Sequence, residues 1–192
     1  MAFKSWRGLA LVGLLGLSGC GGSGVGSQPT ALATVAATPL PSSQAAQLLT
    51  FDASTRTVIL TITVGIPEIS NGYNYNGYAR GSLVISVPRG WKVIVHCNAH
   101  PYALAHSCAV VQGAESQGPA FPGSWIPDPN RSFEGGFVLQ GSSKSFEFIP
   151  NRALVGRFSC LVTGHVAAGM WATFQVTDSG QPSLGTRAPT GS

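Results

Sequence analysis

Cys160-Leu-Val-Thr-Gly-His165-Val-Ala-Ala-Gly-Met170 is the stretch on which the fold of this chain turns. It sets a thiol, an imidazole and a thioether at five-residue steps in one short loop. Gly156-Arg-Phe-Ser-Cys160 before it and Met170-Trp-Ala-Thr-Phe-Gln-Val176 after it read as β-strands. Cys160 would then end one strand, Met170 would start the next, and His165 would sit in the tight loop between. Thiolate and imidazole with a weak thioether are the donor set of a blue-copper centre, which takes one more imidazole. His106, opening a strand after the 101–105 loop, is the candidate. Gly164 and Gly169 each precede a candidate ligand, where the backbone must turn sharply.

Working outward, Thr57-Val-Ile-Leu-Thr-Ile-Thr-Val64 is β-branched and alternating. Ser82–Val87 and Trp91–Cys97 repeat the pattern, with Pro88-Arg-Gly90 as a turn between them. His106–Val111, Ser132–Val138 and Ser145–Phe148 bring the total to seven or eight short strands. Gly and Pro punctuate almost every gap, and no stretch carries a helical period. The expectation is an all-β Greek-key sandwich. Residues 113–131 form a long Gly/Pro/Ser loop.

Charge is scarce. Asp, Glu, Lys and Arg make up 9% of the 192 residues, against about 25% in typical domains. Hydrophobic content is 44%, which argues against disorder. In strong acid carboxylates are protonated, and a highly charged surface becomes a repelling field of one sign. A surface of Ser, Thr, Gly, Asn and Gln avoids this, so an acidic compartment is expected. The net charge of +4 includes no basic run interleaved with aromatics, so nucleic acid is not an expected partner.

Lys4 and Arg7 precede a short apolar run, Gly8 to Leu17, and then Leu17-Ser-Gly-Cys20. The run is too short to span a bilayer and reads as a secretory signal over residues 1–19. Its end resembles the bacterial lipobox, which implies lipidation at Cys20. Residues 20–50 are almost all small and uncharged, as in a flexible lipid-anchored tether. A folded domain over 51–178 and a flexible tail over 179–192 complete the reading. The location implied is the periplasmic side of a membrane.

The chain resembles the cupredoxins, and within them the sulfocyanin and rusticyanin group. The matching pieces are Tyr75-Asn-Gly-Tyr78, Val87-Pro-Arg-Gly-Trp91, Ala105-His106-Ser107 and the whole of Cys160 to Trp171. They span roughly residues 57–177. The resemblance implies one type-1 copper ion held by His106, Cys160, His165 and Met170. It implies that Ser107 hydrogen-bonds toward the Cys160 sulfur. Trp171 is expected to help desolvate the centre. His165, set among Val166, Ala167 and Ala168, is the expected electron port. Electron transfer between cytochrome c and a cytochrome c oxidase in an acidophile is the implied role. A copper-binding scaffold protein of an oxidase supercomplex is the alternative.

Other metal chemistries fit less well. Zinc prefers closed tetrahedral N/S coordination and has no use for Met. A binuclear copper loop needs two cysteines, and this loop has one. A nitrite reductase or multicopper oxidase usually has a His next to the thiolate, where this chain has Leu161. Cys97 and Cys108 depart from the family pattern and fall on strands flanking His106. A disulfide, two buried thiols, or a second soft site with His96 and His100 are all open readings.

Overall fold

The computed structural model describes residues 33–113, 118–127 and 136–190. The signal segment, Cys20 and the first part of the tether therefore lie outside the described residues. The strands are β1 (Thr38–Pro39), β2 (Leu49–Asp52), β3 (Thr57–Val64), β4 (Leu83–Pro88), β5 (Lys92–Ala99) and β6 (His106–Ser107). They continue as β7 (Ala109–Val111), β8 (Phe137–Val138), β9 (Ser143–Phe148), β10 (Leu154–Ser159), β11 (Trp171–Thr177) and β12 (Ser183–Thr186). One helix, α1 (Ser42–Leu48), and a 3-10 turn, Ser70–Gly72, complete the described elements.

Two sheets face each other: β1-β12-β4-β11-β10-β7 and β2-β3-β5-β9, with a small β6-β8 pair at one end. The all-β sandwich expected from the sequence is what forms. β3 and β5 pair in parallel, as do β4 and β11. Parallel neighbours need a crossover. Here β4 in the opposite sheet supplies the one between β3 and β5, which ties the two layers together.

The core follows from period-two alternation. On β3, Val58, Leu60, Ile62 and Val64 are buried, while the residues between them are half-exposed. Val93, Val95 and Cys97 do the same on β5, and Phe146 and Phe148 on β9. From the other sheet come Ile85, Val87, Phe158, Ala172, Phe174 and Val176. Burying each large apolar side chain contributes about 1.5–3 kcal/mol before entropy is counted.

Three expectations are corrected. Among the described residues there are twelve short strand segments where seven or eight strands were expected, because Cys108 divides the 106–111 strand and edge segments join both sheets. The folded unit exceeds 51–178. Val35 exchanges hydrogen bonds with the Gln175 side chain, β1 pairs β12, α1 packs Ala45 and Leu48 on the core, and β2 pairs β3. The supposed tail carries β12, which pairs β4 and buries Leu184. Backbone pairing and one or two apolar contacts order these segments, and their composition does not reveal either. The long loop also folds back: Ala109 bridges Trp125, Val111 bridges Pro119, and Phe121 and Ile126 are buried.

Candidate metal centre

Cys160 follows the last residue of β10, and Met170 precedes the first of β11, as expected. The Cys160 N–H donates to the Met170 carbonyl (3.3 Å), and the Met170 N–H donates to the His165 carbonyl (2.9 Å). Ala168 N–H to Gly164 carbonyl (3.0 Å) and Gly169 N–H to Val166 carbonyl (2.9 Å) close the loop on itself. Gly164 (φ 84°) and Gly169 (φ 104°) take the left-handed backbone that this closure needs.

The loop brings three donor atoms together. His165 Nδ1 lies 3.4 Å from Cys160 Sγ and 3.2 Å from His106 Nδ1. The three donors all fall within 4.8 Å of one another, and all three side chains are buried. This is the only such cluster of His, Cys and acidic residues among the described residues. A Cβ at Gly65 would lie 2.5 Å from His106 Nε2, so that edge of the ring faces Gly65 while Nδ1 faces the cluster. Two imidazole nitrogens and a sulfur aimed at one point suit a cation better than they suit each other.

The electrostatics agree. Burial, with the His165 ring beside it, holds the His106 imidazole down to about 4. Burial also lowers His165. Both rings therefore stay neutral, the form that binds metal, well into acid. Burial pushes the Cys160 thiol up, opposed by N–H groups of Val162 and Ser107. A bound cation offsets that burial cost by favouring the thiolate.

Ser107 lies beside the Cys160 sulfur. Its N–H donates to Cys160 Sγ (3.3 Å), its hydroxyl lies 3.8 Å from the same sulfur, and Leu161 N–H donates to that hydroxyl oxygen (2.6 Å). Met170 is fully buried in the core cluster that contains Cys160. Trp171 is buried on the other side of its strand. Alternation along β11 puts Ala172 in the core and Trp171 on the outer face, where the Arg157 guanidinium covers its ring at 3.8 Å. Around His165, Ala167 is exposed and Val166 and Ala168 are half-buried, while the imidazole itself is 9% exposed.

Cys97 and Cys108 form a disulfide. His96 faces away from it and meets Ser145 (2.8 Å), and His100 packs on Tyr102, so the second soft site is not assembled. Sequence reasoning missed the aromatic support. The Tyr73 ring meets His165 edge-on at 5.0 Å. The buried Tyr75 hydroxyl donates to the Ser107 carbonyl (2.8 Å), and its ring meets Phe158. Asn74 and Asn76 hold this segment by donating to Ile66, Ile69 and Thr61 carbonyls and by accepting from Gly77 and Thr63 N–H groups. The Tyr75-Asn-Gly-Tyr78 motif was the available signal. Sequence reasoning also missed exposed Tyr102 (77%) and Leu104 (70%) beside His106.

Residues 44–122 match the sulfocyanin (SoxE) domain family. Sulfocyanin from Sulfolobus acidocaldarius is 28% identical over 136 residues, covering 67% of this chain and 68% of that protein. Among solved structures, dithionite-reduced auracyanin from Roseiflexus castenholzii is similar at 21% identity and a TM-score of 0.44, over 66% of this chain and 99% of that one. Copper nitrite reductase from Nitrosomonas europaea is similar at 19% identity and a TM-score of 0.46, over 62% of this chain and 41% of that one.

Proposed function

We propose that this chain, similar over residues 44–122 to the sulfocyanin domain family and bringing His106, Cys160 and His165 together at one point, is a mononuclear type-1 copper electron carrier. The observation that carries the reading is the convergence of two buried Nδ1 atoms on one buried thiol. Copper supplies one-electron chemistry between Cu(I) and Cu(II) at such a donor set. The chain does the rest. The hydrogen-bonded 160–170 loop and the disulfide-flanked β6 hold the donors in place before metal arrives. Burial keeps protons off the imidazoles. Met170, buried beside Cys160 in the core, is the proposed axial ligand. His165, beside exposed Ala167, is the proposed electron port.

A carrier rather than an enzyme is favoured by Leu161, which leaves no imidazole next to the thiolate for a second centre. The proposed setting is the periplasmic face of a membrane, with Cys20 lipidated and the segment after it as a tether. Cytochrome c and a terminal cytochrome c oxidase are the proposed partners, in an acidic habitat.

Titrating the purified chain with one equivalent of copper tests the core of this reading. An intense visible thiolate-to-copper band that disappears on reduction is expected, and a colourless one-copper protein refutes it. The partners are tested by whether a cytochrome c reduces the loaded protein and an oxidase reoxidises it at turnover rates. Loading without such turnover would favour the scaffold role.

A further inference from the structure

Met170 stands between two residues that one short segment grips. The Arg80 N–H donates to the Gly169 carbonyl (2.7 Å), and the Gly81 N–H donates to the Trp171 carbonyl (2.9 Å). These bonds straddle Met170, whose own N–H and carbonyl are engaged by His165 and Cys160. The Arg80 side chain lies along Gly169, where a Cβ would come within 2.8 Å of it. Gly81 faces the Trp171 ring, which a Cβ there would approach to 2.2 Å. Residues 80 and 81 thus bracket the backbone on both sides of the thioether.

The bracket is itself held in an unfavourable shape. Arg80 takes φ +53° and Gly81 φ +71°. Glycine adopts that backbone freely, but arginine is disfavoured there because its Cβ crowds the following carbonyl. Such a residue stays in place only where its surroundings over-determine it. Part of that constraint comes from the segment after β12. The Thr190 N–H donates to the Arg80 carbonyl (2.9 Å), and the Thr190 hydroxyl donates to the same oxygen (3.3 Å). The Arg187 N–H donates to the Ser82 carbonyl (2.9 Å), one residue beyond the bracket. Ser82 closes the turn from within, its N–H and hydroxyl both donating to the Ala79 carbonyl (3.1 and 2.8 Å).

The net gain from one hydrogen bond and the cost of one left-handed non-glycine residue are of the same order. Losing the Thr190 bonds is therefore enough to let Arg80 relax and loosen its hold on Gly169. The pairing of β12 with β4 and the burial of Leu184 do not involve Thr190.

We propose that Arg80 and Thr190 are positioning residues for the axial thioether. The segment after β12 locks the 80–81 bracket, and the bracket fixes where the Met170 sulfur sits relative to the three donors. A residue outside the ligand loop thereby tunes how strongly the centre favours Cu(I), because a thioether held less firmly donates less. The proposal deepens the copper-carrier reading above and rests on it.

The test compares the full chain with Thr190→Pro, which removes both donors, and with Thr190→Ala, which removes the hydroxyl alone. Val58→Ala, a cavity in the core at the opposite end of β3 from Gly65, is the destabilised control. The chain has two methionines, Met1 and Met170. Labelling with [methyl-¹³C]methionine therefore gives two signals, and Met170→Leu assigns the one from Met170. In the copper-free protein that signal should shift and broaden in Thr190→Pro, change less in Thr190→Ala, and stay in place in Val58→Ala. After loading, the Cu(I)/Cu(II) ratio in a fixed hexacyanoferrate(II)/(III) mixture should rise about threefold or more in Thr190→Pro and hold in Val58→Ala.

A lower urea midpoint in Thr190→Pro with an unmoved Met170 signal and an unchanged ratio overturns the proposal, since a purely structural strap gives that result. So does a Met170 signal that Val58→Ala moves as far as Thr190→Pro does. Absence of the visible copper band in the unsubstituted protein refutes the carrier reading instead, and the copper-free Met170 signal still judges the bracket.

Discussion

Lowering the pH should weaken the copper-free protein through one residue in particular. Buried His106 titrates near about 4 in the folded chain, against 6.5 for a free imidazole. Between those values the unfolded chain binds a proton that the folded chain refuses. Stability is therefore fully present above about pH 6.5 and falls as pH drops toward about 4. A displacement of that size is worth about 3 kcal/mol, a large share of the roughly 5–15 kcal/mol that holds a domain together. About 2.5 kcal/mol of it should already be lost at pH 4.5. His165 is shifted in the same direction and adds to the slope. Urea denaturation of the copper-free protein at pH 7 and pH 4.5 measures the loss, and His106→Asn should flatten most of it. Copper-loaded protein should change less, because the metal occupies the nitrogens that protons would take. If the parent and His106→Asn proteins lose stability in parallel over this range, His106 is not buried as described and the reasoning fails.

Gly65→Ala places a side chain at φ +75° and 2.5 Å from His106 Nε2. It should cost about 2–4 kcal/mol in denaturant melts and lower copper affinity in a chelator competition. Ser107→Ala removes the acceptor of the Leu161 N–H, and should cost about 1–3 kcal/mol and move the visible copper band. Replacing Cys97 and Cys108 together by Ala opens a loop with a sequence separation of 11. The chain-entropy account puts the loss at about 3 kcal/mol, readable as a lower urea midpoint.

The metal site was legible because its chemistry lies in side-chain types. A Cys, a His and a Met in one glycine-hinged loop are rare together, and His106 opened a readable strand. The long alternating strands β3 and β5 were legible for a similar reason, since period two is visible in Val, Ile and Thr. β1 and β12 were not, because backbone bonds to partners far away in sequence order them and their composition is that of a linker, nor were α1 and β2, which a few apolar contacts and a local pairing with β3 hold in place. The orientation of Trp171 was within reach: if Met170 points inward, the next residue on the strand points out. Tyr75 lay in a recognised motif and Tyr73 two residues before it, but only the fold brings them to Ser107 and His165.

The edge formed by β1 and β12 has a mechanical consequence. Only Thr38 and Pro39 pair there, with Thr186 and Gly185. A pull on the N-terminal side of the chain meets the Val35–Gln175 bonds first, then this two-residue ribbon, then Leu40 on Leu184. Each can peel away singly, and none touches a donor atom. Tension from that end is thus spent on a sacrificial edge before it reaches Gly65, the first residue that braces the metal cage.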